Sequence, residues 1–161
     1  ASDVYKRQKV NHIHSYGKNG RGTFAASLTS NGVELSNHPE FIVREYIDNM
    51  STCMEAADLI ISRCGAGALT EIEAVGCGSI LVPSPIVAEN HQYHNGMVLA
   101  NAGAAILVEQ KDLSSEWLIN TVSELINDPE RLEKLSQNAA QLYIKDTPQR
   151  ILEVIRSVLE G

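Results

Sequence analysis

Short apolar runs alternate with longer amphipathic stretches over the first two thirds of the chain. The runs are rich in β-branched residues and continuous, a pattern typical of parallel strands that are covered on both faces. The stretches between them have helical spacing, which predicts right-handed crossovers between the strands. We therefore expect an α/β fold with a doubly wound parallel sheet. The predicted strands are residues 10–15, 41–43, 59–61, 80–82 and 106–108, and the predicted helices are residues 22–34, 50–57, 67–76 and 90–102.

The last third of the chain has a helical pattern only. From Ser114 onward the apolar residues recur at helical spacing, without a strand-like run. Asp128 followed by Pro129 predicts a helix N-cap and a proline in the first turn, and Thr147 followed by Pro148 repeats that pair. We expect a single domain with a helical C-terminus.

The first eight residues, ASDVYKRQ, follow neither a helical nor a strand period. We interpret residues 1–8 as a tag or an artefact and expect the domain to comprise residues 9–161.

Composition narrows the classes of function. The chain has 161 residues, of which 43% are hydrophobic and 20% charged, as in globular proteins. Its net charge of −7, with 13 basic residues, argues against a protein that binds nucleic acid by neutralising phosphates. Because no apolar run approaches the roughly 20 residues that span a bilayer, and no signal peptide is evident, we expect a cytoplasmic protein.

Cysteine and histidine spacing does not predict a metal site. Cys53, Cys64 and Cys77 are widely spaced, which is typical of reduced thiols that serve as small apolar residues. His91 and His94 are three residues apart on a predicted helix, but no third ligand is apparent. We therefore expect no metal site.

A glycine-rich turn follows the third predicted strand, in the stretch SRCGAGALTEIEAVG (residues 62–76). In a doubly wound sheet ligands bind at the carboxyl ends of the strands, where Gly65 and Gly67 let a ligand approach the backbone. The free amides and the positive dipole end of the following helix suit a phosphate or a sugar oxygen, even in an acidic protein.

Three kinds of nucleotide-binding site contain a glycine-rich turn of this sort. A P-loop is excluded because no lysine follows the glycines. A dinucleotide fingerprint fits poorly, because Thr70 stands where a third small residue belongs and Ser84, not an acid, ends the next strand. The third hypothesis makes Glu71 the acceptor for the two vicinal hydroxyls of a ribose. The spacing leaves open the alternative that Glu71 only caps the helix.

Five segments resemble the C-terminal, donor-binding domain of the peptidoglycan N-acetylglucosamine transferases of glycosyltransferase family 28. The resemblance implies one of two Rossmann-like halves of a GT-B enzyme, with the substrate cleft between them. It also implies an inverting transfer of N-acetylglucosamine from UDP-GlcNAc to undecaprenyl-diphospho-N-acetylmuramoyl pentapeptide, which converts lipid I to lipid II. The segments are YIDNM (46–50), ADLIISRCGAGALTEIEAVG (57–76), SILVPSP (79–85), ENHQYHN (89–95) and AGAAILVEQKDL (102–113).

The same resemblance implies roles for individual residues. Glu71 corresponds to the glutamate that holds the ribose hydroxyls. The backbone at Ala66, Gly67 and Ala68 corresponds to the helix start against the donor diphosphate and sugar.

Other positions are implied for the remaining parts of the donor. His91 and Gln92 correspond to the polar pair that contacts the N-acetylglucosamine hydroxyls, and the Ile47 backbone to the contact with the uracil edge. Arg63 lies beside these residues, either as a ligand contact or in an ion pair that holds the loop. UDP-GlcNAc is then the donor substrate, and no cofactor is implied.

Several parts of the family pattern have no counterpart in these 161 residues. They are the acceptor loop, the general base and the membrane-facing apolar patch of the N-terminal domain, and the Gly-Gly-Ser loop that opens the donor domain. We therefore expect a truncated donor domain that binds UDP-GlcNAc weakly and catalyses no turnover alone. The full-length protein would bind the lipid-linked acceptor and be peripheral on the inner face of the bacterial plasma membrane. The alternatives are the catalytic subunit of a two-component UDP-GlcNAc transferase and a non-catalytic nucleotide-sugar-binding module.

Overall fold

The computed structural model describes residues 10–160. The chain divides into two compact units: a first unit of Ala1–Ala56 with Ser114–Ser123, and a second unit of Ala57–Leu113 with Glu124–Gly161. Residues 1–9 lie outside the described part, so the interpretation of residues 1–8 as a tag or artefact stays a prediction.

The first unit is built around a two-stranded parallel sheet. In its register His12 lies opposite Phe41 and Ser15 opposite Arg44. One helix connects the strands, and a second follows them. The elements are β1 (His12–Ser15), α1 (Phe24–Ser30), β2 (Phe41–Arg44) and α2 (Met50–Glu55), together with most of α5 (Ser115–Ile126).

Among residues 10–160, one face of this sheet is better covered than the other. The His14 ring stacks on Phe24 of α1 with the ring centroids 4.9 Å apart, so the histidine-bearing face is half-buried. On the other face Ile13 and Ile42 are 42% and 43% exposed. The prediction that these strands are buried on both faces is therefore wrong for Ile13 and Ile42, whose face is more exposed than the face that contacts α1.

The second unit contains a three-stranded parallel sheet in the order β3-β4-β5. The central strand β4 is fully buried, as a parallel strand with neighbours on both edges is expected to be. In the edge strand β3, Ile61 is 45% exposed, so predicted burial on both faces is wrong there as well. The elements are β3 (Ile60–Ser62), α3 (Ala66–Val75), β4 (Ser79–Leu81), α4 (His91–Asn101), β5 (Ala105–Leu107), the end of α5, α6 (Pro129–Leu142) and α7 (Thr147–Glu160).

The predicted strands and helices exist in the predicted order. The strand bounds agree within two residues, and all five strands pair in parallel. They belong, however, to two sheets of two and three strands.

Glycine ends α3 and allows α6 to pack closely. Gly76 lies in the left-handed region (φ 65°), and its amide donates to the Ile72 and Glu73 carbonyls. A β-carbon on Gly76 would lie 3.0 Å from the Ala140 β-carbon of α6. A larger residue at position 76 would therefore be strained and would push α6 away.

The two predicted helix caps have different outcomes. The Asp128 side chain accepts a hydrogen bond from the Arg131 amide at 3.0 Å, with Pro129 next in the chain, so this cap is confirmed. Thr147 is itself the first residue of α7, and its hydroxyl donates to the Ile144 carbonyl instead of accepting from the helix. The predicted Thr147 cap is therefore wrong.

Acid is expected to destabilise the first unit. Burial lowers the pKa of His12, with a further contribution from His14, and burial also lowers the pKa of His14. The unfolded chain then takes up protons more readily than the folded chain below the ordinary value of 6.5, so stability is full above that pH and falls as the pH drops. Between pH 7.5 and 5.5 we expect a loss of at most on the order of 1 kcal/mol per histidine, less for His14 because water screens a half-exposed charge.

Trp117, the single tryptophan, belongs to the first unit and can report its unfolding in urea at each pH. A variant with His12→Gln and His14→Gln should have a flatter pH dependence, whereas His94→Gln, an exposed helical change in the second unit, should not. An unchanged slope in the double variant would contradict the assignment.

Candidate functional site

The candidate site lies at the carboxyl edge of the sheet in the second unit. The chain turns from β3 into α3 at residues 63–65 and passes from β4 into α4 through residues 82–90. Because parallel strands end at the same edge, the amino ends of α3 and α4 are both directed to that edge.

The start of α3 is uncapped. Gly65 precedes the helix in extended backbone, no side chain accepts from the first turn, and that turn contains no acidic residue. The amides of Ala66, Gly67 and Ala68 are the first three of the helix, where amides have no carbonyl partner within the helix. They form a set of donors at the positive end of the helix dipole.

The fold itself does not require glycine in this turn. A β-carbon on Gly65 or Gly67 would meet no other atom within 4 Å, and neither residue has a positive φ. The remaining physical use of glycine is to leave room for close approach of another molecule to the backbone.

Glu71 is the sixth residue of α3 and is exposed. It follows Gly67 and Ala68 by four and three residues, so these residues lie along the same side of the helix. Among the described residues its carboxylate has neither a hydrogen bond nor an ion pair. The alternative that Glu71 caps the helix is wrong, because the helix has no side-chain cap.

Arg63 is held by backbone. Its Nη1 atom donates to the Val82 carbonyl at 3.3 Å and to the Pro83 carbonyl at 3.2 Å. Arg63 forms no ion pair with a described acidic residue, so the predicted ion pair is wrong. Arg63 does hold the loop, but through hydrogen bonds to the two carbonyls. A direct contact with the donor stays a prediction.

The polar side chains of α4 have defined orientations. The Gln92 Oε1 atom accepts from the Ser84 amide at 2.9 Å, which leaves the amide Nε2 group as a donor. The His91 Nδ1 atom lies 2.9 Å from the Ala88 carbonyl oxygen. Because a carbonyl only accepts, Nδ1 carries a proton, and Nε2 of the neutral ring is an acceptor. The pair thus offers one donor and one acceptor, which is what a sugar hydroxyl needs.

The loop enters α4 through unusual backbone. Glu89 and Asn90 both have a positive φ, 51° and 52°. Asparagine adopts this region readily, but glutamate does so rarely. Such conformations persist where the surrounding structure enforces them, and they are concentrated at functional sites.

Asn95 and Gly96 join α4 to the turn after β3. The Asn95 Nδ2 group donates to the Cys64 carbonyl at 3.5 Å. A β-carbon on Gly96 would lie 2.8 Å from Cys64 Sγ and 2.7 Å from Leu107 Cδ1. Gly96 was not predicted as a site residue. Its position in the middle of a predicted helix could have indicated a close packing contact.

Ile47 lies in the first unit and is 6% exposed. Among the described residues its backbone amide donates to no other backbone carbonyl. The contact of this backbone with a uracil edge stays a prediction.

Two of the three cysteines are buried, and the described residues form no metal centre. All three cysteines are free. Burial raises the pKa of Cys64 and of Cys77 to about 11, which disfavours the nucleophilic thiolate form at neutral pH. Residues 10–160 contain no group of three or more His, Cys, Asp and Glu that could hold a metal ion. None of the described helices has the length and apolar character needed to cross a membrane.

Curated proteins similar to this chain are bacterial transferases. A protein from Desulforamulus reducens is 33% identical over 152 residues, which is 94% of this chain and 41% of the relative. A protein from Nostoc sp. is 37% identical over 142 residues, 86% of this chain and 40% of the relative. Both are named UDP-N-acetylglucosamine–N-acetylmuramyl-(pentapeptide) pyrophosphoryl-undecaprenol N-acetylglucosamine transferase. The chain therefore spans about two fifths of the length of these relatives.

Solved structures and a family profile agree with these relatives. The crystal structure of Acinetobacter baumannii MurG superposes with a TM-score of 0.76 at 25% identity, over 96% of this chain and 44% of that one. The glycosyltransferase VinC, solved with dTDP, has a TM-score of 0.66 at 16% identity over 99% of this chain and 37% of its own, which shows the fold alone. The profile of the glycosyltransferase family 28 C-terminal domain matches residues 2–151. With nearly its whole length matched, the chain belongs to glycosyltransferase family 28 and carries the C-terminal domain of that family.

Proposed function

We propose that this chain supplies the donor half of an inverting N-acetylglucosamine transferase that converts lipid I to lipid II. The observation that carries the proposal is the start of α3, with its free amides and two glycines that the fold does not require. On the same side of the helix, the Glu71 carboxylate has no partner among residues 10–160. The curated relatives are named for this activity, which supports the proposal. The donor is UDP-GlcNAc, and the reaction requires no further cofactor.

Each part of the donor has a chemically suitable partner. The amides of Ala66, Gly67 and Ala68 meet the diphosphate, where the helix dipole favours negative charge. The Glu71 carboxylate accepts from both vicinal ribose hydroxyls. His91 supplies an acceptor and Gln92 a donor to the sugar hydroxyls.

Two further assignments come from the resemblance. The Ile47 backbone is assigned to the uracil edge, and its unpaired amide supports this. Arg63 is assigned to the neighbourhood of the diphosphate.

In the proposed reaction the acceptor hydroxyl oxygen forms a bond to C1 of N-acetylglucosamine while the bond from C1 to the phosphate oxygen breaks. UDP leaves with the bonding electrons, and negative charge develops on that phosphate oxygen. The first-turn amides of α3 stabilise the developing charge because they are fixed before the reaction begins. The hydroxyl proton passes to a general base that we assign to the N-terminal part of the full-length protein, together with the lipid-linked acceptor. We place that protein at the inner face of the bacterial plasma membrane as a peripheral enzyme.

Calorimetric titration of the 161-residue chain with UDP, UDP-GlcNAc and ADP tests the donor assignment. We expect UDP and UDP-GlcNAc to bind, and ADP to bind at least about tenfold more weakly because a purine offers the wrong hydrogen-bonding edge. Equal affinity for all three nucleotides would exclude the assignment.

A steady-state assay with UDP-GlcNAc and lipid I tests whether the general base lies outside this chain. The chain alone should produce no lipid II, because no residue assigned here removes the acceptor proton. A measurable steady-state rate would refute the proposal that the base lies elsewhere. Nucleotide binding without transfer by the full-length protein would favour the non-catalytic binding module.

A further inference from the structure

The segment that leaves β4 is held from two sides. From the turn after β3, Arg63 donates to the carbonyls of Val82 and Pro83. From the first turn of α4, the Gln92 side chain accepts from the amide of the next residue, Ser84. Three consecutive residues are thus bonded to two different elements of the site.

These bonds satisfy backbone groups that the sheet leaves open. The Val82 amide donates to the Ser62 carbonyl, and among residues 10–160 the Val82 and Pro83 carbonyls accept side-chain hydrogen bonds from Arg63. Pro83 has no amide of its own and cannot bond to a neighbouring strand as a donor. Val82 is therefore held both by strand pairing and by Arg63, whereas Pro83 and Ser84 are hydrogen-bonded to the side chains of Arg63 and Gln92.

The bonded groups connect the two ends of the proposed donor site. Arg63 is two residues before Gly65, where the diphosphate cradle begins, whereas Gln92 belongs to the pair assigned to the sugar. We infer that Arg63 is a positioning residue: by fixing residues 82–84 it sets the distance between the diphosphate amides and the sugar-contacting side chains. The inference rests on the proposed function and deepens it, because it assigns to Arg63 the preference for a sugar nucleotide over the bare nucleoside diphosphate.

A direct phosphate contact by Arg63 has a different consequence. A salt bridge to the diphosphate would strengthen UDP and UDP-GlcNAc alike, because both contain the same diphosphate. Positioning through residues 82–84 instead acts on the sugar contacts, so its loss weakens UDP-GlcNAc and leaves UDP nearly unchanged.

The experiment compares Arg63→Ala and Arg63→Lys with Arg131→Ala. Arg131 is an exposed arginine of the same unit whose side chain pairs with Glu124 at 3.5 Å, so it is a matched control. Calorimetry gives the affinity for UDP and for UDP-GlcNAc, and hydrogen exchange in the ligand-free chain reports on the Ser84 amide.

For Arg63→Ala we expect UDP-GlcNAc to bind about fivefold more weakly, the equivalent of about one hydrogen bond, with UDP changed by less than about twofold. The Ser84 amide should exchange at least about tenfold faster. Arg63→Lys keeps the charge but not the planar guanidinium, so it should keep the UDP affinity and lose part of the preference for the sugar nucleotide. Arg131→Ala should change none of these quantities.

The outcomes separate the inference from the proposed function. If UDP and UDP-GlcNAc weaken equally in Arg63→Ala, the positioning role is overturned while the donor site stands. Unchanged Ser84 exchange in Arg63→Ala also overturns it, whether or not a ligand binds. If the unmodified chain binds neither nucleotide, the proposed function fails, and with it the claimed sugar preference.

Discussion

Replacing Glu71 by alanine is expected to weaken UDP binding by at least about tenfold, because two hydrogen bonds from the ribose to a charged acceptor are lost. Glu71 is exposed and makes no hydrogen bond or ion pair with any described residue, so the fold should lose little. We expect the free energy of unfolding to change by less than about 0.5 kcal/mol. Calorimetry for UDP and urea unfolding of the same sample measure the two quantities together.

Ligand chemistry makes this test specific for the ribose. The unmodified chain should prefer UDP over 2′-deoxy-UDP, and Glu71→Ala should bind the two with nearly equal affinity. Glu73→Gln is the matched control: it lies on the same helix two residues further on, so it points to a different side. The Glu73 side chain is half-buried, and this burial raises its pKa, whereas Glu71 is exposed. If Glu71→Ala still distinguishes the two ligands, the ribose assignment is wrong.

The alternation of strands and helices could be predicted because each element has its own period. Runs such as Ile60-Ile61 and Ile80-Leu81 read as strands locally, and Asp128-Pro129 specifies a helix start by itself. These signals lie within a few residues, so no knowledge of the partners was needed.

The burial of each strand face depends on which helices and strands pack against it, and the local sequence pattern does not contain that information. Ile13, Ile42 and Ile61 have the composition of doubly covered strands, yet each is more than 40% exposed. The division of five strands into two sheets decides which faces are covered, and sheet membership is a long-range property.

For the candidate site, the sequence indicated where the helix start and Glu71 lie but not which contacts the side chains make. The uncapped start of α3 and the position of Glu71 follow from the glycine turn itself. The carbonyl partners of Arg63 are 19 and 20 residues away, and the amide partner of Gln92 is on a loop. Such bonds form only after the sheet has aligned the strand ends, so spacing could suggest that Arg63 holds a loop but not how.

Gly96 should be the most sensitive small residue of the site. We expect Gly96→Ala to lower the free energy of unfolding by about 2 kcal/mol, because the new methyl group would lie under 3 Å from both Cys64 and Leu107 in a buried contact. The better helix propensity of alanine, about 1 kcal/mol, offsets only part of the overlap. Urea unfolding followed by circular dichroism measures the change.

The overlap has a structural consequence for ligand binding as well. Because Cys64 adjoins the glycine turn and Gly96 lies on the helix that carries His91 and Gln92, relieving the overlap moves α4 away from the turn. UDP-GlcNAc, which needs both elements, should therefore weaken more than UDP.

Two controls decide whether steric overlap is the cause. In a Cys64→Ala background the sulfur atom is gone, so Gly96→Ala should cost less than it does in the unmodified chain, and this difference is the coupling between the two sites. Gly67→Ala places the same methyl group in open space, so stability should be unchanged or higher while nucleotide binding weakens, since the methyl occupies the room left for the ligand. Equal costs of Gly96→Ala in both backgrounds would mean that α4 does not pack against Cys64 as described, and the link between the two ends of the site would be lost.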